Sequence, residues 1–171
     1  MMKIYITDLE AYNNGHLVGN WYELPMNEDL LAEAIENELQ RGRDICGDEH
    51  HHEEYFITDY ECEYMKIDEY DSISKLNEIA EQVEALDDTD KKKLSYLMEQ
   101  VGYDFAGAIS NLEDCDIYED VNMKQLAEQF IDEGLFGEIP DRLSYYIDYD
   151  AVARDLEMDY NEYNGDIYRA S

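Results

Sequence analysis

Carboxylates are the side chains of this sequence most able to do chemistry, because 44 of its 171 residues are Asp or Glu. Two carboxylates whose pKa values are pushed apart can serve as the acid and the base of a hydrolytic reaction. With so many acidic residues, pairs at catalytic distances arise by chance, and the sequence shows no carboxylate set in an apolar pocket. We therefore expect no catalytic residues and no enzyme.

Metal binding is the second chemistry to consider. The run from His50 to His52 carries three imidazoles, but consecutive residues do not converge on one ion, so a solvated loop is expected. The acidic segments 116–120 and 148–155 lack the glycine that an EF-hand calcium loop needs at its sharp turn. We expect no metal and no cofactor.

Cysteine chemistry is equally unsupported. Cys46, Cys62 and Cys115 form no Cys-x-x-Cys motif, and no nucleophile signature such as Gly-x-Ser-x-Gly is present. An odd number of cysteines without a disulfide framework fits a reducing cytoplasm, where they pack as small apolar residues. The sequence shows no signal-peptide pattern and no apolar run of the ~18 residues that a membrane span needs, so we predict a cytoplasmic protein.

A glycine-containing segment, residues 12–21 with the sequence YNNGHLVGNW, could in principle cradle a phosphate. Its spacing differs from that of a G-x-x-x-x-G-K-[ST] loop, and the helix expected after it begins with Glu28 and Asp29, which would repel an anion. We predict instead a tight β-hairpin turn at Asn-Asn-Gly, followed by a packing glycine and a partly buried Trp. The residues of this structural motif are Tyr12, Asn13, Asn14, Gly15, Gly19 and Trp21.

Alternating apolar residues predict a small antiparallel sheet in the first third of the chain. The predicted elements are strands over 3–12, 16–24 and 54–62 and a helix over 28–41. The helix places Asp29, Glu33 and Glu36 on the face opposite its apolar residues. Together they form the first predicted domain, a β-hairpin, helix and strand over residues 1–63.

Helical patterns dominate from residue 64 onward. Helices predicted to begin at Ser72 and Asp88 define a helical bundle domain over 64–104, and residues 105–171 form a C-terminal α+β domain. Its predicted elements are a helix over 105–112, a strand over 116–121, helices from Asn122, over 140–146 and over 149–156, and a hairpin turn at Asn164-Gly165. The predicted fold class is α+β, with three small domains in an elongated curved chain.

Net charge is the composition value that most restricts function. The chain has 12 Lys and Arg against 44 Asp and Glu, which gives −32, and the acidic excess is spread along its whole length. Like charges repel in a compact body, so an elongated one is favoured. We predict no direct binding of nucleic acid or membranes and a basic surface as partner, such as a DNA-binding groove. A halophilic protein surface would also explain the acidic residues.

The amount of charge matches that of a stretch of duplex DNA. A dimer would carry about 64 excess negative charges, which correspond to about 110 Å or ~32 base pairs at one charge per ~1.7 Å of axis. Tyrosines beside acidic residues suit a protein interface, because an arginine of a partner can stack on the ring. These tyrosines are Tyr64, Tyr70, Tyr118, Tyr149 and Tyr160.

The sequence resembles the ArdA-type antirestriction proteins. The resemblance rests on YNNGHLVGNW at 12–21, EEYFITDYE at 53–61, GEIPDRLSYYIDYDAVARDL at 137–156 and the closing hairpin. It implies three small domains in an elongated homodimer joined through the C-terminal domain. It also implies a non-enzymatic DNA mimic, typical of a mobile genetic element, that occupies the DNA path of type I restriction-modification enzymes at their specificity and methyltransferase subunits. An inhibitor or chaperone of another basic protein is the alternative function.

Thirteen acidic residues are our candidates for the DNA-mimic surface. They are Asp29, Glu33, Glu36, Glu78, Glu81, Asp87, Asp88, Asp90, Glu113, Asp114, Asp116, Glu119 and Asp120. Phe105, Ile117 and Tyr118 are the candidates for the dimer interface, because apolar residues near an acidic strand need cover. The basic run from Lys91 to Lys93 departs from a uniform mimic, and it lies off the binding face or pairs with the neighbouring Asp87, Asp88 and Asp90.

Overall fold

Residues 1–47 and 51–170 are described by the computed structural model of this protein. They form two compact units, one ending at Asp87 and one beginning at Asp88. Each unit contains a three-stranded antiparallel sheet together with helices, so the predicted α+β class is confirmed. The predicted division into three domains, at residues 63/64 and 104/105, stays a prediction.

The sheet of the first unit consists of β1 (Met2–Asp8), β2 (Gly19–Leu24) and β3 (Tyr55–Cys62), in the order β2-β1-β3. Alternate residues of β1, Met2, Ile4 and Ile6, are fully buried, as the period of a strand requires. All three predicted strands are thus present, and all pairs are antiparallel. The third strand contains an irregularity at Thr58, whose hydroxyl lies 2.7 Å from that of Thr7.

The connection between β1 and β2 differs from the predicted tight hairpin. A short helix, α1 (Leu9–Asn13), follows β1 directly, and its N-cap Asp8 accepts a hydrogen bond from the Ala11 N–H at 2.7 Å. Asn14 caps the C-terminus, and Gly15 then takes a φ of +83°. The Asn-Asn-Gly sequence therefore ends a helical turn, because the Asp8 cap and the burial of Ala11 stabilise helix where the alternating pattern predicted strand.

Two longer helices complete the first unit. α2 (Glu28–Cys46), capped by Asn27, is five residues longer than predicted, and it buries Leu31, Ala34 and Leu39 but leaves Leu30 exposed. α3 (Ile73–Glu84) begins after its predicted N-cap Ser72. Its buried Asn77 accepts a hydrogen bond from the Met26 N–H at 2.7 Å and donates one to the Met26 carbonyl at 2.8 Å, which fastens α3 to the β2–α2 connection.

The second unit contains five helices and three strands among the described residues. The elements are α4 (Asp88–Tyr96) with a π-helical turn over Leu97–Val101, α5 (Phe105–Ser110), β4 (Cys115–Tyr118), α6 (Met123–Asp132), α7 (Asp141–Ser144), α8 (Tyr149–Leu156), β5 (Asn161–Tyr163) and β6 (Asp166–Ala170). The strand order is β4-β6-β5. Gly102 ends the π-helical turn in the left-handed conformation, which glycine adopts without strain.

The core of the second unit lies between α6, α8 and the sheet. Leu126 and Phe130 of α6 pack with Leu156 of α8 and Ile167 of β6. The predicted hairpin turn joins β5 to β6, with φ values of 51° at Asn164 and 91° at Gly165, as a two-residue turn of this class requires. No helix of the described residues is long and apolar enough to cross a membrane.

Candidate functional site

Six of the thirteen candidate acidic residues lie in the first unit, and all six are exposed. Asp29, Glu33 and Glu36 follow one another on the solvent face of α2, as predicted. Glu78 and Glu81 lie one turn apart on α3, whose other face supplies buried core residues, and Asp87 follows the helix. Amphipathic helices thus display these carboxylates on their outer faces.

The other seven candidates lie in the second unit, around α4 and β4. Asp88 and Asp90 occupy the first turn of α4, where the helix dipole favours negative charge, and Asp90 is half-buried. The remaining five surround or form part of β4 and are exposed, namely Glu113, Asp114, Asp116, Glu119 and Asp120. The structure therefore presents a second group of carboxylates on a strand and its two connections.

Ion pairs divide twelve of the thirteen candidates, all except Asp87, into two classes. Five of them form pairs within the chain, namely Glu36 with Arg43 at 2.7 Å, Asp88 with Lys91 at 4.0 Å, Asp90 with Lys93 at 3.9 Å, Asp116 with Arg169 at 3.9 Å and Glu119 with Lys92 at 2.9 Å. Within the described part of the chain, seven others make no ion pair, namely Asp29, Glu33, Glu78, Glu81, Glu113, Asp114 and Asp120. These seven, which we call the uncompensated carboxylates, present their full charge to a partner.

The basic run at 91–93 pairs with acids from more than one element. Lys91 and Lys93 pair with Asp88 and Asp90, which is one of the two predicted alternatives, but Lys92 Nζ lies 2.8 Å from the buried Asp166 carboxylate and 2.9 Å from Glu119. The Asp166 hydrogen bond is the main cause that raises the pKa of Lys92. Lys92 therefore links α4 to the start of β6, a structural role.

Asp166 is one of the few buried carboxylates of the chain. Burial alone would raise its pKa, but hydrogen bonds from Lys92 and from the Asp120 N–H, at 3.0 Å, together with the positive charge of Lys92, hold the pKa below its usual value. The carboxylate thus stays ionised and fastens the β5–β6 hairpin to α4 and to the β4–α6 connection.

The three candidates for the dimer interface have packing within the second unit. Phe105 and Ile117 are half-buried. Tyr118 contacts Phe130 and Tyr160 edge-to-face, with ring centroids 5.4 Å and 6.0 Å apart. The core of this unit thus explains much of the burial of Tyr118, and a subunit contact through the three residues stays a prediction.

The predicted structural motif packs at one end of the first sheet. Tyr12 lies edge-to-face on Phe56 at 5.2 Å, and Trp21, 39% exposed, lies edge-to-face on Tyr5 at 5.5 Å. Tyr5 donates a hydrogen bond to the Gly19 carbonyl at 3.0 Å, and a Cβ at Gly19 would clash with the Ile6 carbonyl oxygen. Gly19 is therefore required for close packing, as predicted.

The histidine run is not simply a solvated loop. His52 is 1% exposed, and its Nδ1 lies 2.7 Å from Oδ2 of the buried Asp8, while Arg43 Nη2 donates to the His52 carbonyl at 2.9 Å. His51 is exposed, and His50 lies outside the described residues. The prediction is thus wrong for His52, because its partner is 44 residues away and no local pattern signals the pair.

Glu38 of α2 is a third buried carboxylate, and no local sequence pattern reveals it. The Tyr22 hydroxyl donates to Glu38 Oε1 at 2.6 Å, and Arg41 donates to Oε2 at 2.6 Å. Burial, together with the Glu38 hydrogen bond, raises the pKa of Tyr22. Both carboxylate oxygens are occupied by donors, so the arrangement joins α2 to β2. Among the described residues, no three His, Cys, Asp or Glu side chains come together to hold a metal ion.

The tyrosines predicted for an interface are mostly internal. Tyr64 and Tyr160 are buried, whereas Tyr70 is exposed and stacks on Phe56 at 6.1 Å. The most exposed tyrosines, Tyr145 and Tyr146, were not singled out, because they stand beside each other and not beside an acid. They are the chain neighbours of Ser144 and Ile147, which line an open groove of about 750 Å³ formed by residues between the end of α6 and the start of α8.

The family of this chain follows from a comparison with models of known protein families. The model of the antirestriction protein family ArdA matches residues 4–167, nearly the whole chain and both compact units. A search of the curated proteins found no match. The matched residues include the motif at 12–21 and the hairpin turn at Asn164-Gly165. The chain therefore belongs to the ArdA family of antirestriction proteins.

Proposed function

We propose that this chain inhibits type I restriction-modification enzymes by DNA mimicry, as a homodimer in the cytoplasm. Its carboxylates would take the places of DNA phosphates in the groove of the specificity and methyltransferase subunits, so that both restriction and modification are blocked. Family membership supplies the antirestriction function and implies the type I target. Mimicry is our inference from the surface.

The uncompensated carboxylates are the observation that carries this proposal. At 1.5 Å of rise per residue, Asp29 and Glu33 stand ~6 Å apart along α2, and Glu78 and Glu81 stand ~4.5 Å apart along α3. These separations are of the same order as those between the phosphates of a nucleic acid strand. Because helices hold them, the carboxylates are arranged before binding, and little conformational entropy is lost when a partner engages them.

A DNA-binding groove is expected to bind such a surface because the groove is basic. Lys and Arg of the groove bind DNA by neutralising phosphates and releasing the counterions that surround them. A rigid surface with a similar density of carboxylates can make the same ion pairs, and the net charge of −32 speeds its approach to a basic protein. The inhibitor and DNA would then compete for one groove, and both would bind more weakly as salt rises.

The experiment that tests the proposal is a competition titration. A type I methyltransferase, formed from specificity and methyltransferase subunits, is loaded with fluorescent duplex DNA, and the protein is added at several salt concentrations. We expect full displacement of the DNA, with an inhibitory affinity that falls steeply and linearly in a plot of log affinity against log salt. Unchanged DNA occupancy at excess protein would refute the proposed function.

A matched pair of variants tests the position of the charges. The triple variant Asp29→Asn, Glu33→Gln and Glu81→Gln removes three uncompensated carboxylates, and it should weaken displacement by at least about tenfold and reduce the salt slope. Any one of these substitutions alone should change the affinity only about twofold, because each charge is one of many.

The control variant removes the same number of charges from other exposed positions of the first unit, Glu53→Gln, Asp68→Asn and Glu69→Gln. It has the same net charge as the test variant and should displace DNA nearly as well as the unaltered protein. Equal losses in both variants would mean that only net charge matters, and loss of all inhibition by one substitution would contradict a distributed mimic.

A further inference from the structure

A groove in the second unit lies between the C-terminus of α6 and the start of α8. Its apolar lining comes from Ile131, Ile139 and Ile147, which are half-buried, together with Pro140. Its volume of about 750 Å³ is in the range of sites that hold a ligand or several side chains of a partner. The groove is thus a surface concavity with apolar walls in a chain that is otherwise strongly acidic.

Large apolar side chains flank the groove without cover from the described residues. Leu135 (60% exposed) and Phe136 (57%) lie between Gly134 and Gly137, and both glycines line the groove. Tyr145 (91%) and Tyr146 (84%) lie between Ser144 and Ile147, which also line it. Exposed apolar side chains that gather in one place mark an interaction site more often than scattered ones do.

Charge decides what kind of partner fits. The carboxylates of Asp132, Glu133 and Glu138 line the groove, and residues 131–150 contain six acidic residues against one basic residue, Arg142. A second copy of this chain, whose proposed dimer contact uses Phe105, Ile117 and Tyr118 instead, would bring its net charge of −32 to this acidic rim. A basic partner would instead find carboxylates for its cations and apolar walls for the rest of its surface.

Arginine matches each part of this site. Its aliphatic stem packs on apolar walls, its guanidinium pairs with carboxylates in two-pronged fashion, and its planar head stacks on the face of a tyrosine ring. Isoleucine walls, glutamate and aspartate at the rim and two exposed tyrosines supply these three contacts within one stretch of 19 residues.

We propose that this groove docks an arginine-bearing segment of the basic protein that the chain inhibits. The proposal rests on the proposed function, and it adds to the mimic an anchor that DNA does not have. The uncompensated carboxylates bind the DNA-binding groove of the enzyme through charge. Tyr145 and Tyr146 instead give contacts that depend on apolar area and ring stacking.

The two contributions differ in their response to salt, and the test uses this difference. The double variant Tyr145→Ala and Tyr146→Ala leaves the charge unchanged. In the competition titration with fluorescent DNA on a type I methyltransferase, it should displace DNA about tenfold less well at every salt concentration. The slope of log affinity against log salt should stay that of the unaltered protein, because no ion pair is lost.

Two further variants sharpen the test. Met158→Ala removes another highly exposed apolar side chain of the same unit and should displace DNA as well as the unaltered protein. Glu133→Gln with Glu138→Gln keeps the tyrosines but removes two carboxylates of the groove, and it should lower both the affinity and the salt slope. This second change keeps the proposal testable even if the tyrosine variant folds poorly, as melting curves would show.

The outcomes separate the inference from the proposed function. If the unaltered protein does not displace DNA, the proposed function fails. If it does, but the tyrosine variant displaces DNA equally well, the docking groove is refuted while the mimic stands. Light scattering of the same samples gives a third outcome, since a tyrosine variant that is monomeric beside a dimeric unaltered protein would show that the groove binds a second copy and would overturn the inference.

Discussion

Buried carboxylates are the residues that distinguish structure from function in a chain where acidic side chains are so common. Asp8, Glu38 and Asp166 are buried, and each has donors within hydrogen-bond distance. Their environment identifies them as structural, whereas exposure without an ion pair identifies Asp29 and Glu33 as candidates for the partner surface. Only a three-dimensional structure separates the two kinds, because the sequence around them is equally acidic.

Substitution of Asp8 should show how much the buried pair of Asp8 and His52 contributes to the free energy of unfolding. Asp8→Ala removes both the cap of α1 and the partner of His52, so we expect the free energy of unfolding to fall by about 2–4 kcal/mol. Asp8→Asn keeps an oxygen for the Ala11 N–H and should cost less. Urea denaturation at pH 7 measures both, with Glu53→Gln, an exposed change, as control. Equal stability of all three variants would contradict a structural role for the pair.

Gly42 provides a residue-scale test in which two effects oppose each other. Alanine is the better helix former by about 1 kcal/mol, which would stabilise α2. A Cβ at this position, however, would clash with the buried Asp8 carboxylate and come within 2.8 Å of His52 Nδ1. We expect the clash to win and Gly42→Ala to lower the free energy of unfolding by about 1–2 kcal/mol.

The comparison variant for Gly42 is Ala32→Gly, at an exposed position of the same helix, which should cost about 1 kcal/mol through helix propensity alone. Urea denaturation of both variants gives the two values. A more stable Gly42→Ala variant would mean that the pair between Asp8 and His52 moves aside at little cost.

At the scale of elements, local signals predicted well wherever the determinants lie within a few residues. The caps Asn27, Ser72 and Asn122 begin helices as predicted, and Asn164-Gly165 forms a hairpin turn. The prediction failed at Asn13, where the same kind of turn sequence ends α1, because the N-cap Asp8 is paired with His52, a partner 44 residues away that no local pattern indicates. The groove beside Tyr145 was missed for a similar reason, since residues of two elements and their connection create it.

The ion pair between Lys92 of α4 and Asp166 of the β5–β6 hairpin leads to a prediction about how stability depends on pH. Because the folded-state pKa of Asp166 is lowered, its contribution to stability is complete above the unfolded value, near 3.8, and is lost as pH falls through the lower folded value. At pH 7, Asp166→Asn should be less stable than the unaltered protein by about 1–2 kcal/mol. This difference should persist at pH 5 and shrink below about pH 4.

Urea denaturation at pH 7, 5 and 3 measures the difference. Asp114→Asn, which removes an exposed carboxylate from the same unit, is the matched control, and its stability should follow that of the unaltered protein at each pH. A constant difference for Asp166→Asn across the whole range would show that the hydrogen bonds to Lys92 and Asp120 do not depend on the charge of Asp166.

At the scale of the whole molecule, charge dominates the stability balance. With a net charge of −32, carboxylates repel one another over distances that reach ~30 Å in 10 mM salt but only ~8 Å near 0.15 M. We therefore expect the melting temperature to rise by roughly 5 °C between 10 mM and 0.3 M NaCl. Circular dichroism at 222 nm follows the transition.

Potassium chloride at the same concentrations is the control, because screening depends on ionic strength and not on the cation. Equal shifts in both salts would support general repulsion. A melting temperature that does not change with salt would contradict it, and a fold that forms only in molar salt would favour the halophilic interpretation of the acidic surface.

Each sheet has two outer strands, and this arrangement gives the acidic surface a second consequence. In the described part of the chain, β2 and β3 border the first sheet and β4 and β5 the second, and strands at the edge of a sheet can pair with another molecule wherever their backbone groups are unpaired. On β3, the Ile57 N–H already donates to the Glu69 carbonyl at 2.8 Å. Exposed acids accompany these strands, among them Glu23, Asp59, Asp116 and Glu162. These edge-strand carboxylates, of which Asp116 is also a candidate for the DNA-mimic surface, would thus oppose aggregation by strand addition, a protection that weakens as pH approaches the isoelectric point near 4.1.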